Sequence, residues 1–335
     1  MWTAIAIVCL GLSAVTALPH DSVIRKVDSG LRYQYIRDAD GAPLLADLWG
    51  TTSHLAEAAR YSPAAENVYH LFTRANPSVS QPLLFGNTNL LGISNFSPEK
   101  KTVILVHGWR TNVTGILGTT LIPALLQGAD INVIGLDWSA GASTINYVAA
   151  IANTVASGAA VAEFITWLNS ATGASVSNYH VIGHGLGGQQ VGIIGRNLDG
   201  QMPYITALDP NLAGWITNPE GIAATDGIYT EVIHTNAGSN GLLLPAGDAD
   251  FYPNGGVVMA GCTTNSCSHD RSILYMAESV ISGGFTGRRC ETHVDAISGD
   301  CDLPGSLKLG GLEPKTGSTG IYRLDTNEYP PFSQD

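Results

Sequence analysis

Basic residues are scarce in this chain. There are 16 Lys and Arg against 28 Asp and Glu in 335 residues, a formal net charge of −12. Beyond the pairs Lys100-Lys101 and Arg288-Arg289 no basic cluster occurs, which argues against nucleic acid or an anionic membrane surface as a tight partner. Long apolar runs are missing as well. The amino-terminal run from Ala4 to Leu12 is about nine residues where a bilayer span needs about twenty. Followed by the small residues Val15-Thr16-Ala17, it reads as a signal peptide over residues 1–17, so the chain is expected to be secreted and to have no membrane span. Low-complexity linkers and internal repeats are absent too, and 44% hydrophobic against 13% charged residues describes a chain that buries a large core. One domain over residues 18–335 is the economical expectation.

Cysteine is sparse but placed in pairs. Cys9 leaves with the signal peptide, and Cys262, Cys267, Cys290 and Cys301 remain. Four cysteines allow three connectivities, and short loops favour Cys262–Cys267 and Cys290–Cys301 in an oxidising compartment. A zinc reading of Cys262-x4-Cys267-x-His269 is set aside outside the cell, so neither a metal nor a cofactor is expected.

Against those absences stand several short, apolar-rich runs. Thr102 to Val106 ends at His107-Gly108-Trp109, Ile131 to Asp137 follows, and then come Tyr179 to Ile182, Tyr204 to Leu208 and Tyr229 to Thr235. Such runs are strands buried on both faces. Between them lie helix-like stretches at Gly115 to Leu126, Thr144 to Leu168 and Gln189 to Leu198; the second repeats apolar residues in steps of three and four from Ile145 to Leu168. Strand and helix in alternation predict an α/β fold with a mostly parallel sheet and helices on both faces. Glu66 to Arg74 alternates like a strand with one exposed face, and the thirty or so residues after Cys301 read as loop. Asn95 and Asn112 head the glycosylation sequons Asn95-Phe96-Ser97 and Asn112-Val113-Thr114.

The turn after Tyr179 to Ile182 carries the chemistry. Gly183-x-Gly185-x-x-Gly188, with Asp209 about twenty residues on, spells a dinucleotide fingerprint. That fingerprint belongs in the first strand–helix–strand unit of its domain, whereas two buried strands precede it here. The same turn also fits the nucleophile elbow G-x-S-x-G of α/β-hydrolases, with Gly185 where the serine belongs. The triad order on that fold is nucleophile, acid, histidine, and Asp209 in Leu208-Asp209-Pro210 and His269 in Cys267-Ser268-His269 follow in that order. A carboxylate at a strand end and a histidine on a disulfide-stapled loop can meet above the sheet. His107-Gly108-Trp109 can set the Trp109 backbone N–H beside that of Leu186 as an oxyanion hole.

With these blocks the chain resembles the secreted neutral lipases of the pancreatic-lipase superfamily, in particular their single-domain insect members. Leu71-Phe72-Thr73-Arg74, His107-Gly108-Trp109, Gly135-Leu136-Asp137-Trp138, Leu208-Asp209-Pro210, Val232-Ile233-His234-Thr235 and Asp250 to Gly256 carry the likeness. So do Cys267-Ser268-His269-x-Arg271-Ser272 and Ile321 to Asn327. The resemblance implies an α/β-hydrolase fold with Asp209 as acid, His269 as base, and Trp109 and Leu186 at the oxyanion positions. It also implies a short, phospholipase-like lid between Cys262 and Cys267 and no carboxy-terminal β-sandwich domain.

The departures decide the expected function. Gly185 has no atom with which to attack an ester, and His184 to Val191 offers no Ser, Thr or Cys in its place. Asp248 stands where the family usually has a histidine, and the calcium-binding acidic cluster of some members is not evident between Asn218 and Asp226. The chain is therefore expected to be a catalytically silent member that binds a lipid, a fatty-acyl ligand or a protein partner, or that serves as a storage protein of the yolk type. The other reading is an active neutral lipase or phospholipase in which Gly185 is a variant or an error of record, since Gly and Ser codons can differ by one base.

Overall fold

The computed structural model describes residues 23–26, 32–37 and 41–335. The signal-peptide segment 1–17 and Cys9 lie outside the described residues. Eleven strands build the main sheet: β1 (Val68–Phe72), β2 (Gln81–Leu83), β3 (Thr102–Val106), β4 (Asn132–Asp137), β5 (Tyr179–His184), β6 (Tyr204–Leu208), β7 (Thr230–Ile233), β8 (Ala249–Pro253), β9 (Thr286–Cys290), β10 (Leu303–Lys308) and β11 (Gly320–Leu324). Their spatial order is β10-β9-β11-β8-β7-β6-β5-β3-β4-β1-β2. From β11 across to β4 every pair is parallel, and the two strands beyond each end run antiparallel. The topology is that of an α/β-hydrolase fold.

The apolar runs account for the middle of the sheet. β3, β5 and β6 are buried at every residue because helices cover both faces. On one face α2 (Tyr147–Thr172) and α3 (Leu186–Arg196) pack over Ile104, Val181 and Ile205. On the other, α1 (Ile116–Gly128) and α4 (Asn265–Ser282) cover Val103, Ile182 and Leu208. The helix α2 is long and apolar enough to cross a bilayer, but most of its residues are buried inside this fold. It starts at the cap Asn146, whose side chain accepts from the Ala149 N–H, and stops at Gly173 in the left-handed conformation.

Two expectations are corrected here. The segment after Cys301 is not loop, since β10 and β11 both join the sheet. β10 is almost wholly exposed, so its sequence carries no buried face to reveal it. His269 is not on a loop either: it lies in the second turn of α4, just past the Cys262–Cys267 disulfide. Both disulfides pair as the short loops favoured, Cys262 with Cys267 and Cys290 with Cys301.

A candidate active site without a nucleophile

Parallel strands end on one edge of the sheet, and the site collects there. Leu208 and His184 are register partners, so the residues that follow them, Asp209 and Gly185, stand side by side. The Gly185 N–H donates to the Leu208 carbonyl at 3.1 Å, and the Asn211 N–H returns a bond to the Gly185 carbonyl at 3.1 Å. Gly185 itself has φ 60° and ψ −117°, a conformation that costs a side-chain-bearing residue about 1–3 kcal/mol and a glycine little. The turn thus keeps the strained geometry of an elbow while holding a residue that does not resist it.

Asp209 is fully buried and uses both carboxylate oxygens. Oδ1 accepts the backbone N–H groups of Thr235 and Asn236 at 2.8 and 2.9 Å, and Oδ2 meets His269 Nδ1 at 2.5 Å. A carboxylate fixed this way orients the imidazole and leaves Nε2 facing the cleft. A Cβ built on Gly185 would lie 3.2 Å from His269 Nε2 and 2.7 Å from Asn211 Oδ1. The geometry therefore brings Asp209, His269 and Gly185 together, and it places the Asn211 carboxamide where a side chain at 185 would begin. Asn211 in turn donates through Nδ2 to the Tyr147 hydroxyl at 3.0 Å.

Leu186 and the His107-Gly108-Trp109 turn come together through close packing. A Cβ on Gly187 would sit 2.1 Å from the Val106 carbonyl oxygen, so only glycine lets the first turn of α3 press against the end of β3. That contact brings Leu186 beside the His107-Gly108-Trp109 turn. The turn is held from the far side: the Trp138 N–H donates to His107 Nε2 at 3.1 Å, and its indole Nε1 donates to the His107 carbonyl at 2.8 Å. His107 Nδ1 donates to the Gly108 carbonyl at 2.9 Å, which assigns it a structural part. Trp109 is buried, with its indole Nε1 on the Thr144 carbonyl at 2.9 Å. Asp137 anchors the Ser139 N–H at 2.9 Å; burial raises its carboxyl, but the nearby His107 ring and the bonds from Ser139 outweigh that and hold it below the usual carboxylate range.

Two more titratable groups border the cleft. Burial, reinforced by the neighbouring His269 ring, pushes the His184 pKa well below that of a free imidazole. Burial pushes the Asp270 carboxyl up, against the opposing pull of His269. The cleft between Gly185, Trp109, Thr111, Ser266 and His269 is small, about 50 Å³. Beside it opens a larger apolar pocket of about 670 Å³, walled by Leu212, Trp215, Ile216, Ile222, Leu242 and Leu244. Asn211 and Asn240 face the cleft while Leu212 and Leu242 face the pocket, and the Leu212 N–H bonds the Asn240 carbonyl at 2.8 Å, so the two spaces share one wall.

The sequence profile described as Lipase matches residues 47–306. The chain belongs to the lipase family. Relatives of this lipase-family chain include the pancreatic lipase-related protein 2 of Bos taurus, 32% identical over 78% of this chain and 64% of its own length. The pancreatic triacylglycerol lipase of Homo sapiens is 32% identical over 82% and 66%, and the phospholipase A1 member A of Bos taurus is 31% identical over 78% and 62%. The chain thus spans somewhat less than two thirds of the length of these curated relatives.

Several parts of this lipase-family site were not legible in the sequence: Asn211, Tyr147 and the pocket wall are neighbours only in space. Asp248 proves remote from the cleft. It precedes β8, at the opposite edge of the sheet, where Oδ2 accepts the Thr230 N–H at 2.8 Å. Among the described residues no group of three or more His, Cys, Asp and Glu side chains could hold a metal ion. Between Asn218 and Asp226 a guanidinium, that of Arg196, meets the carboxylates of Glu220 and Asp226. Both sequon asparagines, Asn95 and Asn112, are exposed.

Proposed function

We propose that this chain is a secreted, catalytically silent lipase-family protein that holds a fatty-acyl ligand. One observation carries the reading: an apolar pocket of about 670 Å³, within the size range of ligand sites, adjoins a cleft whose nucleophile position is Gly185. In the proposed roles Asp209 orients His269, and the Trp109 and Leu186 backbone N–H groups form the oxyanion hole, but no covalent acyl intermediate can form on a residue without a side chain. A lipid carrier or a yolk-type storage protein would need the pocket and not the turnover. Lipid extraction of the secreted protein followed by mass spectrometry, with fatty-acid displacement titrations, tests the proposal. Co-purifying acyl lipid and measurable affinity are expected; neither lipid nor affinity would overturn it.

The intact Asp209–His269 bond supports a second reading, an active lipase or phospholipase with serine at position 185. Peptide mass spectrometry across Val181–Arg196 of protein from its natural source decides between them.

A further inference from the structure

The wall of the apolar pocket is tied to the elbow helix by two side chains, one in its first turn and one at its far end. Arg196 is the last residue of α3, the helix that starts at Leu186. Its Nε donates to Asp226 Oδ1 at 3.0 Å, and one terminal nitrogen donates to Asp226 Oδ2 at 3.1 Å and to the Gly221 carbonyl at 2.9 Å. The other terminal nitrogen reaches Glu220 Oε2 at 2.9 Å. Asp226 is buried, and its Oδ2 also accepts the Ala223 N–H at 2.8 Å. In the first turn of the same helix, buried Gln189 accepts the Ile222 N–H at 2.9 Å and donates to the Asn211 carbonyl at 2.7 Å. A Cβ on Gly192, between these two side chains, would lie 2.4 Å from Asp226 Oδ2, so glycine permits the close approach.

The segment held in this way supplies Trp215, Ile216, Ile222 and Ala223 to the pocket. Its own backbone bonds here are short turns (Asn218 to Trp215, Gly221 to Asn218, Asp226 to Ala223), with no strand ladder to fix it. A planar guanidinium that spans two carboxylates and a carbonyl supplies what the backbone does not. We propose that Arg196 is the positioning residue that sets the reach of the pocket, and thereby the length of acyl chain it accepts. The claim rests on the acyl-binding reading above. A free wall lets the pocket collapse or open at Ile222 and Ala223, which a chain long enough to reach them feels and a shorter one does not.

The test compares octanoate and palmitate binding by the full chain, as wild type, Arg196→Met and Arg196→Lys. Arg196→Met is expected to weaken palmitate by about tenfold while octanoate changes by less than about twofold, with Arg196→Lys between because an ammonium is a point charge that cannot span the same acceptors. General loss of structure would weaken both acids together. A palmitate-to-octanoate ratio equal to that of the wild type, in Arg196→Met or, where that variant does not fold, in Arg196→Lys, overturns the proposal. Wild-type protein that takes up neither acid removes the acyl-binding reading and the chain-length claim with it. Amide hydrogen exchange then decides the positioning role alone: faster exchange in Arg196→Lys confined to Ile222 and Ala223 supports it, and unchanged exchange overturns it.

Discussion

Asp209 and Gly185 follow neighbouring strands in register, yet their surroundings differ in kind. The Asp209 carboxylate has every partner it needs: two backbone N–H groups from the turn after β7 and the His269 imidazole. None of those bonds depends on a group at position 185. Position 185 carries no side chain, and the Asn211 carboxamide lies where one would begin. Asp209 and His269 are thus structural members of the fold, whatever stands at position 185. Buried donors around a carboxylate are costly to strand, so the pair contributes to folding without any chemistry. A serine at an elbow has no such second duty, and glycine relieves the strain it would feel.

The largest expected effect is on the elbow side. In the proposed roles Gly185→Ser sets a nucleophile beside Asp209, His269 and the His107-Gly108-Trp109 turn, and ester turnover is expected to rise by several orders of magnitude. Loss of the nucleophile in subtilisin, the handiest reference, costs about a millionfold. The new Cβ comes within 2.7 Å of Asn211 Oδ1 and 3.2 Å of His269 Nε2, and stability should fall by about 1–3 kcal/mol. A folded Gly185→Ser protein with no turnover would place the defect elsewhere in the cleft.

On the other side, Asp209→Ala strands two buried N–H groups and unties His269. Urea unfolding is expected to show a loss of about 3 kcal/mol, although the wild-type site is proposed to do no chemistry. An unchanged midpoint would mean that the pair is not structural.

Acid should act through the buried histidines. His180 and His184 both have pKa values pushed well below 6.5 by burial, reinforced by Lys101 and Lys315 for His180 and by His269 for His184. Their folded values lie below their unfolded ones, so the unfolded chain binds more protons once the pH falls under 6.5. Stability is complete above that pH and drops below it by up to about 1.4 kcal/mol per pH unit for each histidine. Urea midpoints at pH 7.5 and pH 5.5 measure this (~two pH values on either side of the free-imidazole range), and replacing His180 by Phe should flatten the slope. The smallest effect belongs to Asn211: in the Gly185→Ser background, Asn211→Ala clears the space beside the new side chain and is expected to raise turnover by about two- to fivefold, about 0.4–1 kcal/mol of barrier.

The middle of the fold was legible because its physics is local. Thr102 to Val106 and Tyr204 to Leu208 are apolar at consecutive positions, which only doubly covered strands require, and the elbow glycines are spaced by the turn they make. Cys262 and Cys267 are so close in sequence that few partners compete. His269 was misplaced on a loop because the first turns of α4, Asn265-Ser266-Cys267-Ser268-His269-Asp270, are polar and lack helical periodicity. β10 was missed because an exposed edge strand carries no alternation. Asn211 beside Gly185, and Arg196 across the pocket wall, are meetings of distant segments that no local pattern announces.

The most direct test of the account is an ester-hydrolysis assay on the wild-type protein itself, with short-chain nitrophenyl esters and phospholipid as substrates. The account predicts rates indistinguishable from buffer, in wild type and in His269→Ala alike. Turnover by the wild type that disappears in His269→Ala would contradict it, because a working base would then be activating a nucleophile that Gly185 cannot supply.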